Sequence, residues 1–489
     1  MPFKFFYKTK PFEHQRQILR RSANAEYFAI LAEQGTGKTK VILDNFFYLW
    51  GRDLIEGALI LAPKGVHSNW VRNELGLHFA GKCEAFEWDS KVKSKKSALA
   101  LKGLMLKDTG RFRLLAMNIE AIRTKDGSKA AQDFLKSGNM MMVIDESTVI
   151  KNRSAQQTKA AIALGKKAGY RRILTGTPIT QNPVDIWSQC QFLHSDSLPY
   201  KTFTAFKDMF AVEVTEHFGT RAVRKIESFK NLEVLQEDLK NFSMRVLKED
   251  CLDLPEKIYQ RVYIEMDDVQ RKAYVQMLHN QFMELQKVED EKGYVHATNV
   301  VSALLKLQQI VNGWVKDTEN ETYHDISNTK LDTLKQVISR RLEERSDEKF
   351  LIWAHFHHDI HRCIKYLAEN FPEVSTLSYY GGTGSSERVE NVDRFQHDDS
   401  VRFLVCNSAA SRGLTLTRAS TAIYYSNSPM LETRLQSEDR CHRIGQTHRP
   451  VYVDLLMKDS VDEKILTLLS EKKSLADRVI GWKEFFTLE

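Results

Sequence analysis

Residues 27–39 read YFAILAEQGTGKT. Six uncharged residues run into a loop with glycine at 35 and 37, and the loop opens KVILDNFFYLW, which has helical spacing. No other feature constrains the fold as tightly. The run fits a strand buried on both faces, and the glycines let the turn's backbone N–H groups converge on an anion at the helix N-terminus. The binding loop is Gln34, Gly35, Thr36, Gly37, Lys38 and Thr39. Lys38 would reach the β- and γ-phosphates of a nucleotide, and Thr39 would ligate Mg2+. Ala32 stands where the strict phosphate-loop pattern has its first glycine. A glycine turn without a ligand is the bland alternative; the strand before and helix after it argue against that.

Further apolar runs follow at 57–63 (GALILAP), 113–118 (RLLAMN), 140–145 (MMMVID) and 171–178 (RRILTGTP), each ending in a polar or glycine-containing loop. Buried parallel strands with ligand-facing residues at their C-terminal ends have this form. The 140–145 run delivers two acids: Asp145 for Mg2+ and Glu146 to position or deprotonate an attacking water. An acid pair after an apolar run is weak evidence alone and strong beside the loop at 34–39. Thr175 and Thr177 end the next strand and could hydrogen-bond between the acid pair and a second lobe; a plain Gly-Pro turn is the alternative.

Residues 184–345 change character, with Leu, Lys, Glu and Gln at helical spacing, and read as all-helical insertions. Strand-like runs return at 349–356, 374–382, 401–408, 421–427 and 449–456. The expected fold class is therefore α/β: two lobes of parallel sheet flanked by helices, with a cleft between them. The divisions are 1–183 (first lobe), 184–345 (helical insertions), 346–475 (second lobe) and 476–489 (C-terminal tail).

With 489 residues, 42% hydrophobic, the chain suits two to four domains rather than one core. Lys plus Arg number 71 against 64 Asp plus Glu, a net +7 that permits a nucleic-acid partner without demanding one. The excess is concentrated at 91–113 and 221–225. Each stretch is equally a solvated face. Six cysteines without Cys-x-x-Cys support neither zinc nor a disulfide framework and fit a reducing compartment. No signal peptide and no membrane-length apolar segment is visible, so a soluble, cytoplasmic protein is expected.

In RLQSEDRCHRIGQ (434–446), Gln436, Arg440 and Arg443 fall at i, i+4 and i+7, one face of a helix. Two arginines and a glutamine suit a γ-phosphate better than a core. An arginine finger is worth roughly 10³–10⁵ in rate. Far along the chain from Lys38, it would require the lobes to close.

The ordered set AEQGTGKT, LILAPKGVHSNW, VIDESTVIKN, LTGTPITQNPVDIWSQCQFL, YYGGTGSSERVENVDRF, SAASRGLTLTRASTAIYYSN and QSEDRCHRIGQ resembles the SWI/SNF-type branch of superfamily 2 helicase-like ATPases, over about 10–475. The compact length resembles the distant subfamily that includes annealing helicases and phage or bacterial members, and that resemblance implies a bacterial or phage-infected cell. Thr148 stands where the acid motif often has His. The resemblance implies ATP and Mg2+ as cofactors. It also implies that Gln15 contacts adenine while Arg16 or an aromatic packs on the base, that Gly413 lies near the ribose, and that Gln436 serves the nucleotide. On the DNA side it implies phosphate contacts from Lys64, Ser68, Asn118, Gly381, Gly382 and Ser408, which position without reading sequence.

Among other candidates, His357, His358 and His361 in HFHHDIH could face a metal at helical spacing, but they fall at a strand end where the family contacts DNA. Trp314 reads as packing, with a nucleic-acid role as the alternative. The leading reading is an ATP-driven translocase on double-stranded or branched DNA, a nearly bare monomeric motor that could take its specificity from a protein partner. Fork reversal, annealing, branch migration and protein displacement all fit. A strand-separating helicase needs a wedge that is not identifiable. A slow nucleotide-gated clamp sits poorly with the acid pair and arginines, and a kinase lacks an acceptor site.

Overall fold

The computed structural model describes residues 3–89, 94–106, 110–176, 182–218, 221–292, 297–317, 320–411 and 414–471. It divides the chain into two units, Met1–Thr215 with Arg224–Asp253, and Glu216–Val223 with Leu254–Glu489.

The first unit is built on a parallel sheet. Its strands are β1 (Tyr27–Ala32), β2 (Gly57–Ala62), β3 (Cys83–Glu87), β4 (Phe112–Asn118), β5 (Met140–Asp145) and β6 (Tyr170–Leu174). After a separate two-stranded sheet of β7 (Ala211–Phe218) and β8 (Arg221–Phe229) comes a seventh, β9 (Ser243–Val246). The order across the sheet is β3-β4-β2-β5-β6-β1-β9. Alternate residues of one strand enter two different cores: Ala29 and Leu31 pack on one face, Phe28, Ile30 and Ala32 on the other. That two-sided burial is why β1 and β2 are continuously apolar. Each fully buried Leu or Ile contributes roughly 1.5–3 kcal/mol. Helix α1 (Glu13–Ser22) and helix α2 (Lys38–Trp50) lie on the Phe28 face, the latter burying Ile42, Leu43 and Phe46.

The second unit has a six-stranded parallel sheet of β10 (Ile258–Ile264), β13 (Phe350–Trp353), β14 (Ser375–Tyr379), β15 (Val401–Cys406), β16 (Thr421–Tyr424) and β17 (Val451–Met457), in the order β10-β17-β16-β13-β15-β14. Before β13, an antiparallel pair forms from β11 (Trp314–Lys316) and β12 (Tyr323–Asp325). Long helices Asp268–Lys292 and Ala297–Val311 pack together over this unit.

Two expectations are corrected. The stretch 184–345 is not all-helical: it supplies β9 to the edge of the first sheet beside β1, and β10 to the edge of the second beside β17. Nor does it stand as a separate block, since the division between units falls at Asp253/Leu254. The physical reason is shared. β9 has four residues, and β10 (IYQRVYI) is largely exposed as an edge, so neither forms a continuous apolar run. The expected tail, 476–489, lies outside the described residues.

One buried cation organises the first unit. Arg172 of β6 is fully buried, and its guanidinium donates to the carbonyls of Ser22 (2.8 Å) and Ala25 (2.7 Å) at the C-terminal end of α1 and to Asn45 Oδ1 (3.3 Å) on α2. It satisfies carbonyls that the end of a helix leaves without partners. Replacing it by Met strands those acceptors, so Arg172→Met is expected to cost about 3 kcal/mol in urea unfolding of the first unit. A loss below about 1 kcal/mol would contradict this role.

Candidate active site

The loop between β1 and α2 has the conformation its glycines allow. Gly35 and Gly37 take φ of 82° and 83°, where a side chain is strained. At Gly37 a Cβ would also meet the Gln15 amide nitrogen at 2.2 Å. Gln15, 4% exposed, donates from Nε2 to the Thr36 carbonyl at 3.0 Å and accepts the Phe12 N–H at 3.0 Å. His14 Nε2 lies 2.8 Å from the same carbonyl. The α1 residue assigned to adenine therefore grips the loop itself, while Arg16 pairs with Glu13 at 3.3 Å. Thr36 donates its hydroxyl to the Glu33 carbonyl at 2.8 Å. Lys38 folds inward, its ammonium donating to the carbonyls of Ala32 (2.8 Å) and Glu33 (3.3 Å). Thr39 is half-buried on the first turn of α2.

Asp145 and Glu146 follow at the end of β5. Asp145 is buried, its Oδ2 accepting the Trp70 indole N–H at 2.9 Å and its Oδ1 the Glu146 backbone N–H at 3.0 Å. Burial pushes its carboxyl above the ordinary carboxylate range; the Trp70 N–H, the Lys38 ammonium and the Glu146 N–H pull the other way. Glu146 sits in the left-handed region at φ 51°, which costs on the order of 1 kcal/mol for a residue with a side chain. Gln34 Nε2 lies 3.5 Å from the Glu146 carboxylate, which brings loop and acid pair into one site. Thr148 and Thr175 are both buried; Thr177 lies outside the described residues.

Trp70 has no role in the sequence reading, although its motif is quoted there. It opens a π-helical turn, Trp70–Glu74, a geometry frequent at functional sites. The available signal was an indole next to a buried strand, whose N–H needs a buried acceptor. Arg245 and Lys248 were missed because their segment read as helical. Arg245 donates to the Gly176 carbonyl at 2.8 Å, and the Lys248 N–H donates to Glu33 Oε2 at 2.9 Å.

The residues assigned to DNA fall at C-terminal strand ends within each sheet. In the first unit Lys64 is exposed after β2. Ser68, in the short helix Val66–Asn69, donates to Glu87 at 2.7 Å, and Asn118, ending β4, donates to Glu120 at 3.1 Å. In the second, Gly381 and Gly382 are exposed after β14, and Ser408 is exposed after the neighbouring β15. Gly413 lies outside the described residues.

The arginine region differs from the single helix face expected. The helix Leu431–Glu438 ends before Arg440, and in the turn that follows Cys441 is fully buried, its thiol 3.7 Å from the Tyr452 hydroxyl. Gln436 stays on the helix; its amide donates to Glu432 at 2.9 Å and its carbonyl accepts Arg440 Nε at 2.9 Å. The two arginines still meet: Nη1 of Arg440 (2.7 Å) and Nη1 of Arg443 (2.8 Å) both donate to the Leu414 carbonyl. Beneath them, buried Arg434 pairs with Glu438 at 2.8 Å and with Asp454, and lies 3.5 Å over the Tyr424 ring. Arg434 opens the quoted motif and was not singled out.

His358 bonds to Asp325 at 2.9 Å and His361 to the Tyr380 hydroxyl at 2.9 Å. Among the described residues no group of His, Cys, Asp and Glu could hold a metal by itself, and no helix is long and apolar enough to cross a membrane. Trp314 is buried, its indole donating to Asp359 at 2.6 Å.

A phosphate-holding loop, an acid pair and a turn with two convergent arginines, on two parallel sheets, define a helicase-like ATPase core. The chain belongs to the SNF2-related family: residues 15–314 match the SNF2-related domain and 329–445 the helicase conserved C-terminal domain. It is 29% identical over 387 residues to the TATA-binding protein-associated factor mot1 of Schizosaccharomyces pombe, covering 69% of this chain and 20% of that protein. To the DNA annealing helicase and endonuclease ZRANB3 of Mus musculus it is 25% identical over 496 residues, covering 99% of this chain and 42% of that protein. The chain thus spans about a fifth to two-fifths of these relatives. Among solved structures, the Sulfolobus solfataricus SWI2/SNF2 ATPase core in complex with dsDNA is 23% identical, covering 96% of this chain and 93% of its own, with a TM-score of 0.42, an overlap too loose to carry an argument.

The Trp70 N–H favours the ionised form of Asp145, so removing it raises that carboxyl further. Trp70→Phe is expected to move the acid limb of the turnover–pH profile upward and to weaken Mg2+-dependent nucleotide binding. An unmoved limb would contradict the assignment.

Proposed function

We propose that the chain is an ATP-dependent translocase on double-stranded DNA. The observation that carries the reading is the shared site at the ends of β1 and β5, where the inward Lys38, the buried Asp145 and the strained Glu146 surround one loop. The residues fit a Mg2+-nucleotide. Positive-φ glycines and the N-terminus of the 13-residue helix α2 suit phosphate oxygens, and Thr39 and Asp145 suit a hard divalent cation. Mg2+, when bound there, supplies positive charge to the phosphates.

In this reading Lys38 leaves its carbonyls for the β- and γ-phosphates. Glu146, whose carboxylate lies beside Gln34 of the loop, orients the attacking water and takes its proton. Arg440 and Arg443 neutralise the charge that develops on the transferred phosphoryl group. Gln15, through the Thr36 carbonyl, couples occupancy of the base site to loop shape.

DNA as the track is supported by the relatives' printed roles and by the exposed Lys64, Gly381, Gly382 and Ser408 at strand ends. Ser68 and Asn118 donate to glutamates here and would exchange those acceptors for phosphate oxygens. The likeness to ZRANB3 favours a role in remodelling DNA during repair or recombination, with fork reversal, annealing, branch migration or protein displacement as the output. A protein partner would supply specificity, and a monomer in the cytoplasm of a bacterial or phage-infected cell is the working state.

ATPase turnover is measured with linear duplex, single strand, fork, four-way junction and RNA. Duplex-containing DNA is expected to stimulate turnover about tenfold or more over single strand and RNA. Lys38→Ala and Glu146→Gln are expected to lower it about 10³-fold, with Glu146→Gln keeping nucleotide affinity. Stimulation by single strand alone, with strand separation, would favour the helicase reading. Turnover indifferent to DNA would favour the slow clamp.

A further inference from the structure

Six residues, Glu249–Leu254, separate two sets of anchors along the chain. Upstream, in the first unit, the anchors hold the end of β1 where it enters the phosphate loop, and Gly176 beside it. Arg245 donates to the carbonyls of Leu31 (3.3 Å) and Gly176 (2.8 Å), and the Lys248 N–H donates to the Glu33 carboxylate (2.9 Å). Gly176 abuts the same loop: a Cβ there would meet Gln34 N at 3.2 Å and Glu33 Cα at 3.3 Å. Downstream, in the second unit, the anchors hold the arginine turn. His442 Nε2 donates to the Pro255 carbonyl at 3.0 Å. Lys257 Nζ (3.0 Å) and the Tyr259 hydroxyl (2.7 Å) both donate to Glu438 Oε2, on the residue that ends the helix before Arg440.

The stretch between the anchors is short, and its upstream part is bonded to itself. The N–H groups of Cys251 (3.1 Å) and Leu252 (2.8 Å) both donate to the Lys248 carbonyl, and the Cys251 thiol donates to the Leu247 carbonyl at 3.0 Å. Pro255 then fixes φ where the chain enters the second unit. A short, internally bonded tether passes on a displacement that a flexible linker would absorb.

We infer that Arg245–Tyr259 is a coupling strap: a rearrangement of the phosphate loop, felt through Leu31, Glu33 and Gly176, is passed along the chain to the turn that carries Arg440 and Arg443. The inference rests on the nucleotide reading above and adds a route by which the arginine turn responds without touching the nucleotide. It makes Arg245, Glu438 and His442 positioning residues. Glu438 suits an anchor: against the burial that would raise its carboxyl, Lys257 and Arg434 hold it below its ordinary range, so it stays charged.

The test is amide hydrogen exchange on the full chain, with and without a non-hydrolysable ATP analogue and Mg2+. The background is Arg440→Ala/Arg443→Ala, in which the turn cannot reach the nucleotide through its guanidinium groups. The analogue is expected to slow exchange at 33–39 and still to change exchange at 436–446 by about fivefold. Four Gly-Ser residues inserted between Asp253 and Leu254 are expected to abolish the second change and keep the first. Lys257→Met/Tyr259→Phe/His442→Ala, which cuts all three downstream anchors without lengthening the chain, is expected to do the same. A change at 436–446 that survives both variants, or that is absent from the background itself, overturns the strap. No protection at 33–39 in any variant overturns the nucleotide reading, and the strap with it.

Discussion

A buried carboxylate organises the nucleotide end of this molecule. Asp145 stands at the end of a fully buried strand, where its charge is costly unless matched. The Trp70 indole, the Lys38 ammonium and the next backbone N–H supply the match. That one requirement ties together three stretches distant in sequence: the loop after β1, the π-turn after β2 and the end of β5. It also explains why Lys38 lies inward. With the ammonium on the Ala32 and Glu33 carbonyls, loop and acid stabilise each other, and a bound phosphate would compete for a cation already in place.

The second unit uses the same economy with the signs reversed. Two guanidinium groups converge on one carbonyl, that of Leu414, held there by a turn whose foundation is the buried Arg434–Glu438–Asp454 set. Removing one partner from such a set typically costs about 3–5 kcal/mol, since it leaves a charge buried and unmatched. The foundation therefore specifies where the arginines stand more than it adds stability. The chain entering this unit is bonded to the same turn through Glu438 and His442, while the residues just before the crossing are bonded to Glu33, next to the glycine loop.

Much of this was legible in the sequence where burial was two-sided. β1, β2 and β13 are apolar throughout, and β4 and β5 nearly so apart from Arg113 and the polar residues that end them, because both faces are covered; the residues at the ends of β1 and β5 announce the loop and the acid pair. Edges were not legible. β3, β9 and β10 each face water on at least one side, so charged residues enter the run and the periodicity dissolves into that of the neighbouring helices. Missing β9 hid Arg245 and Lys248. The helical spacing of Gln436, Arg440 and Arg443 predicted one helix face where the helix in fact ends at Glu438, and it is the shared Leu414 carbonyl that gathers the two arginines. Trp70 shows the remaining gap, because a residue that acts by satisfying another's charge leaves little trace in its own neighbourhood.

The account stands on division of labour: the first unit holds ATP, and the arginine pair of the second is needed only for its cleavage. Nucleotide affinity and single-turnover hydrolysis, measured side by side on Arg440→Ala and Arg443→Ala with saturating duplex DNA, test this directly. The account predicts affinity within about threefold of the unaltered chain and cleavage slowed about 10³-fold in each. Cleavage at the unaltered rate, or affinity lost in step with it, would contradict it.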